Sequence, residues 1–410
     1  MTLIVCFVII NVWITIHYYN DDIGIIHAPF NLSLMGILNF LPMLVIIYKD
    51  NSYSDYELFR VLIVMILGHL SFHYGYKREY RKNVPQVFRY RTKPFPLYLC
   101  LTFFILLGVV ADLIYNIPGS EVVGLWVIAA QLMAFDLAAL IIMIYTIITE
   151  KKTRFIHFVY FAASLYPIYD FAINVKGSRS RMFYIALLVT YLIIRKLPRY
   201  TKAIKICYCL AFIVGSVLAA SISEYRESIR NDDDSFKQTN YLENFLSSFE
   251  PNPDSYHEID LGNAAHGMAY CSDNWHYSFG IIFIDRLLFN YVPARIVGDN
   301  KKESLYLSPS DMELENKYTD GVATMTGYYE AFNSFGYLGI ILFYFLGMFM
   351  GHLYRKKDNS PYSFLLYFFN LIYINIMISH GMTYFVSNAF FCYIFILPLI
   401  YMTITKFKVK

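Results

Sequence analysis

ELFRVLIVMILGHLSFHYGYKREYRKNVPQVFRYRTK, residues 57–93, decides how this chain is read. Its first part, near 57–76, is an apolar run of the length that a hydrocarbon core about 30 Å thick requires of a helix. The run ends abruptly in Lys77, Arg78, Arg81, Lys82, Arg89, Arg91 and Lys93. Such a cluster beside a span holds its loop on the cytoplasmic face.

Working outward, comparable runs lie near 1–18, 29–48, 96–115, 122–149, 155–174, 181–195, 203–222, 331–354, 362–380 and 384–404, so about eleven spans are expected. The run at 181–195 is short, and that at 122–149 is long enough to tilt. Composition agrees with this density of spans. Of 410 residues, 57% are hydrophobic and only 16% charged, too few to clothe a soluble globule of this size. The mean hydropathy is +0.43, and the 19% aromatic content suits interfacial belts. The N-terminus, MTLIVCFVIINVWITI, lacks a basic leader and a small-residue cleavage site, so it reads as a retained span rather than a signal peptide. The fold class is all-α, a polytopic integral membrane protein.

Parity from the seven-cation loop assigns the other loops. Lys151, Lys152 and Arg154 fall inside, as do Arg195, Lys196, Arg199, Lys202 and Lys205. Arg355, Lys356 and Lys357 follow, then Lys406, Lys408 and Lys410. Four further clusters thus agree with the first. The organisation that results is a bundle of spans one to eight over 1–222, one large external loop over 223–330, and spans nine to eleven over 331–410. The same parity places KGSRSR, residues 176–181, outside, against the insertion rule that the rest of the chain obeys.

External cations are few. Besides Lys176 they include Arg179, Arg181, Arg226, Arg230, Arg286 and Arg295. Guanidinium offers a planar fork of donors that matches phosphate oxygens and stays charged at any working pH. Several arginines at an outer membrane face therefore suit a lipid phosphate or diphosphate. Taken singly, each would serve equally by reaching to headgroups or pairing with a carboxylate. Arg286 and Arg295 lie in FGIIFIDRLLFNYVPARIV, residues 279–297, too broken for a span and too apolar for a free loop. An interfacial helix fits that pattern; packing over the bundle is the plainer alternative.

Glu330, in TGYYEAFNSFGYLG (326–339), is an acid at the mouth of the ninth span. At such depth a carboxylate is costly unless paired, so it is a candidate general base or half of a structural ion pair. His266, in NAAHGMAY, is a second candidate acid, base or sugar contact in the external loop, where a solvated histidine is the plainer reading. His69 and His73 stand at i, i+4 without an acidic neighbour in sequence, a weak metal signal. Asp136 is an acid midway along the fifth span. Six scattered cysteines form neither a disulfide framework nor a zinc pattern. No phosphate loop, HExxH or dinucleotide fingerprint is present. No metal or cofactor is expected, and nucleic-acid binding has no support.

In order, GSRSRMFYIALLVTYLI enters a span from outside, SISEYRESIR leaves the next, and RLLFNYVPARIVGD and GYYEAFNSFGYLGIILFYFLGMFMGHLY follow the long loop. Over residues 174 to about 354 this order resembles the bacterial oligosaccharide repeat-unit polymerases, the O-antigen and capsular polysaccharide polymerases called Wzy. The N-terminal half agrees in hydropathy alone. The resemblance implies a metal-independent glycosyltransferase in the cytoplasmic membrane with its site on the extracytoplasmic face. Its donor and acceptor would be oligosaccharide units on undecaprenyl diphosphate, drawn from the membrane lipid. It leaves room for a protein partner that regulates chain length. Family arginines map onto Arg179 and Arg181, and then Arg286 and Arg295. Arg226 and Arg230 join them as substrate-binding candidates, and Glu330 and His266 are the catalytic ones. Two other readings stay open: a ligase of O-antigen type, and a flippase or transporter of lipid-linked oligosaccharide.

Overall fold

Apolar runs that cannot satisfy their backbone in lipid must close it internally, and helices result. The structure, a computed structural model, describes residues 1–21, 23–49, 53–83, 88–115, 125–150, 153–170, 179–220, 260–292, 297–307 and 326–408. Of the predicted binding residues, Arg226, Arg230 and Arg295 lie outside these ranges, as do the side chains of Arg179 and Arg181.

The helices are α1 (Thr2–Tyr19), α2 (Ala28–Lys49), α3 (Asp55–Tyr80), α4 (Pro94–Tyr115), α5 (Leu125–Thr149), α6 (Phe155–Asp170), α7 (Arg179–Lys196) and α8 (Thr201–Ala220). Then come α9 (Asp260–Asp273), α10 (Ile281–Tyr291), α11 (Gly327–Phe335), α12 (Ile340–Lys356), α13 (Pro361–His380) and α14 (Met382–Met402). Among the described residues eight stretches are long and apolar enough to cross a membrane, the run Gly327–Lys356, which takes in both α11 and α12, counting as one. The chain is an all-α polytopic membrane protein. Helices α6, α7 and α8 occupy the places expected for spans six to eight, but none is among those eight.

The residues fall into two units, Met1–Tyr80 with Leu246–Gly351 and Tyr373–Ser387, and Arg81–Phe245 with His352–Ile372 and Asn388–Lys410. In the first unit α3 and α12 run parallel. Gly68 faces Phe343, Phe72 faces Gly347, and Tyr76 faces Gly351. Gly347 and Gly351 form a GxxxG pair whose missing Cβ atoms leave room for the carbonyls of Phe72 and Tyr76. Small residues at this spacing let membrane helices approach backbone to backbone.

One expectation needs correction here. Residues 331–354 were expected as one span, but α11 and α12 are not collinear. Tyr328 and Phe343 stack with ring centroids 5.5 Å apart, whereas fifteen residues along a straight helix would separate them by about 22 Å. The chain reverses at the 3₁₀ turn Gly336–Gly339, where Gly336 has φ +59° and Gly339 packs on the carbonyl of Ala331. Hydropathy alone runs through the reversal, because both arms are apolar. The boundary drawn at 330/331 therefore falls within α11.

In the second unit α5 is apolar on all sides and buried from Ala134 to Ile144, as a helix at the centre of a bundle should be. Asp136 lies in this stretch, fully buried beside Gly108 of α4. Strand β1 (Phe88–Thr92) pairs antiparallel with β2 (Ile404–Lys408). In this register Arg89 pairs with Phe407 and Tyr90 with Lys406. The ribbon joins two cation clusters that the sequence placed on one face. A second pair of clusters meets at Asp358, which accepts from Lys357 at 3.0 Å and Tyr191 at 3.2 Å and lies 3.6 Å from Arg195. Burial pushes the Asp358 carboxyl upward, but Lys357 and Arg195 outweigh it and hold it below its ordinary range.

Candidate functional site

Everything at the candidate site belongs to the first unit. It begins with Ser54-Asp-Tyr-Glu57, a capping box at the start of α3. Glu57 Oε2 accepts from the Ser54 N–H and hydroxyl, both at 2.8 Å, while the Glu57 N–H donates to Ser54 Oγ at 3.2 Å. The box anchors the carboxylate and leaves Oε1 for another partner. That partner is His266 of α9, whose Nδ1 lies 3.2 Å away. Tyr53 stacks on the imidazole at 4.8 Å, and the absence of a side chain at Gly262 makes room for the Tyr53 hydroxyl. The pair is reachable: the histidine side chain is 40% exposed and the glutamate 18%.

One turn along α3 stands Arg60, 1% exposed. Tyr56 covers its guanidinium at 4.6 Å in cation–π contact. Among the described residues the carboxylate that comes nearest is Asp273 at the end of α9, 3.8 Å from Nη2. His266 and Asp273 are seven residues apart on α9 and so share a face. The first turns of α3 therefore meet one face of α9 with Glu57, His266, Arg60 and Asp273 in a row. Such a group can hold an anion and move a proton beside it.

Glu330 is placed differently. It is 1% exposed, and both carboxylate oxygens are taken by Thr383, whose N–H donates at 2.6 Å and hydroxyl at 2.5 Å. Thr383 lies in the first turn of α14, so Glu330 closes a helix N-terminus across the fold. Gly381, with φ +97°, makes the approach possible, since a Cβ there would lie 2.5 Å from Glu330 Oε1. Around it, α11 is stitched to its neighbours. Thr326 Oγ1 accepts from the Tyr329 N–H at 3.2 Å, and the Ser278 N–H donates to the Asn333 carbonyl at 2.9 Å.

Of the residues expected at the site, His266 comes together with a proton-handling partner. Glu330 is engaged elsewhere. Arg286, on α10, is half-buried with its guanidinium 5.5 Å from the Phe289 ring. Within the run 279–297, residues Ile281–Tyr291 form α10, tied down by Asn290 and Tyr291 donating to Ser387 and by Asp285 accepting from the Leu307 N–H. His69 and His73 do not converge: His69 Nε2 meets the Tyr328 hydroxyl at 2.5 Å, and His73 packs edge-on against Trp13, His17 and Tyr18. Among the described residues no three His, Cys, Asp or Glu side chains are grouped to hold a metal ion.

Sequence reasoning passed over Glu57, Arg60, Tyr53, Asp273 and Thr383. A signal was available for two of them. The S-x-x-E box marks Glu57, and an arginine four residues inside an apolar run marks Arg60 as a charge that needs a reason. No family model, curated protein or solved structure matches the chain.

Proposed function

We propose that this chain is a membrane glycosyltransferase that polymerises lipid-linked oligosaccharide units at the outer face of a bacterial cytoplasmic membrane, with about eleven spans and one large outer loop. The observation that carries the reading is the Glu57–His266 pair beside the buried Arg60. The motif order over residues 174 to about 354 supports it from the sequence side. A polymerase of this kind needs a base for the acceptor hydroxyl and cations for the leaving diphosphate. Glu57 faces His266 Nδ1, so Nε2 is the nitrogen left for substrate. As the acceptor oxygen bonds to the anomeric carbon, the bond from that carbon to the diphosphate oxygen breaks. The hydroxyl proton passes to Nε2, and Glu57 stabilises the imidazolium that forms. The motif order nominates Arg179 and Arg181 for neutralising the departing diphosphate. The carboxylate of Glu330, held at both oxygens by Thr383, serves as a helix-end acceptor, and the role of base goes to His266.

The test is polymer synthesis by the purified chain with an undecaprenyl-diphosphate-linked repeat unit, read as a ladder on a gel. His266→Asn and the double variant Arg179→Ala/Arg181→Ala are expected to leave single units. Ladders of normal length from both would refute the reading.

A further inference from the structure

Arg60 presents the fold with a debt that its neighbours do not settle. Its Nε and Nη1 are buried and have no hydrogen-bond acceptor among the described residues. The contact to Asp273 from Nη2, at 3.8 Å, is too long for a hydrogen bond. Glu57, one turn away, cannot help, since Ser54 and His266 occupy its oxygens. A guanidinium removed from water without acceptors is costly, and removal of water is tolerated where a ligand supplies the missing oxygens. The three N–H donors on Nε and Nη1 await partners, on a planar fork whose geometry matches phosphate.

Asp273 is the complementary half of the observation. It is 71% exposed at the end of its helix, so its long-range pairing with Arg60 contributes little. An incoming anion would take its place at Nη2 and reach Nη1 in the same step. Tyr56, packed over the flat face, leaves the edge of the fork as the side for a ligand.

We propose that Arg60 is a phosphate-binding residue, and that Asp273 is the placeholder a phosphate or diphosphate ester displaces. The assignment rests on reading this face as one that handles lipid-linked diphosphates, but it is tested by binding and not by turnover. The full chain in phosphatidylcholine nanodiscs is titrated with geranylgeranyl diphosphate and, separately, with inorganic pyrophosphate. Arg60→Gln should weaken binding about tenfold or more, the range for loss of a charge-assisted hydrogen bond. Arg60→Lys, a point charge in place of a fork, should fall between. Asp273→Asn should tighten binding by a few-fold, because the competing carboxylate is gone. A structural ion pair behaves otherwise: both neutral variants lower thermal stability together and leave probe affinity unchanged. That pattern overturns the proposal. So does an Asp273→Asn variant that binds no tighter than wild type, a result open even where Arg60→Gln fails to fold.

The two probes and the bilayer name the source of the anion. Equal affinity for both probes assigns recognition to the phosphates alone. Loss of probe binding in phosphatidylglycerol nanodiscs assigns the site to lipid headgroups. Both outcomes uphold the anion site. A chain that binds diphosphate through Arg60 but makes no polymer sinks the polymerase reading alone, while Arg60-independent binding by an active polymerase sinks only this inference.

Discussion

Two carboxylates in the same unit, Glu57 and Glu330, stand at helix starts and yet lead to opposite roles. Glu330 closes the N-terminus of α14 and has both oxygens committed to one threonine. Glu57 commits one oxygen to its own capping box and offers the other to a half-exposed imidazole. The first arrangement spends the charge on holding backbone together; the second spends it on orienting a titratable ring. Their partners separate the two acids.

That contrast can be broken most directly at His266. His266→Asn should lower polymer formation about 10²–10⁴-fold, the range for loss of a general base, while the melting temperature of the purified protein stays near wild type. A large drop in melting temperature with proportionate activity would make the pair structural after all. Glu330→Ala should do the reverse, costing about 3 kcal/mol because it strands a buried N–H and leaves a cavity. Thermal unfolding in detergent measures it. Glu330→Gln, which keeps an acceptor, should retain polymer formation per folded molecule; wild-type stability with polymer lost would restore Glu330 to the chemistry.

A third substitution bears on both carboxylates together. Gly347→Ala drives a methyl into the Phe72 carbonyl, across the seam between the helix that carries Glu57 and the one that follows α11. We expect a loss of about 2 kcal/mol, with activity and stability falling together. Gly347→Ala at wild-type stability would remove the GxxxG seam from the account.

The smallest effect is one of pH, in the second unit. Asp358 is held below its ordinary value of 3.8, chiefly by Lys357 and Arg195 acting against burial. A depressed carboxylate contributes stability that is complete above the unfolded value and is lost as pH falls through the folded one. Below about pH 4 the wild type should therefore lose melting temperature faster than Asp358→Asn. Parallel curves for the two proteins would remove the network from the stability of the second unit.

Two pairs of basic segments that cation counting assigned to one face come together in the structure. The basic loop at 77–93 and the C-terminal cluster at 406–410 were assigned to one face by counting cations, and their strands pair as β1 and β2. Arg195 and Lys357 were assigned likewise and meet at Asp358. The site was less readable. His266 stood out as a histidine in a loop, but its acid lies 209 positions away. Glu330 stood out as a costly acid, while the threonine that satisfies it is 53 residues further on. The reversal at Gly336–Gly339 was hidden because hydropathy averages over two apolar arms and carries no direction.

From the residues alone came the membrane class and the helical fold. These depend on the free energy of moving local groups between water and lipid, which each segment carries by itself. Which acid serves structure and which orients a histidine depends on pairs far apart in the chain. So does the isolation of the Arg60 guanidinium. Buried polar groups are priced by the partners that packing brings to them, and that sum exists only once the helices have met.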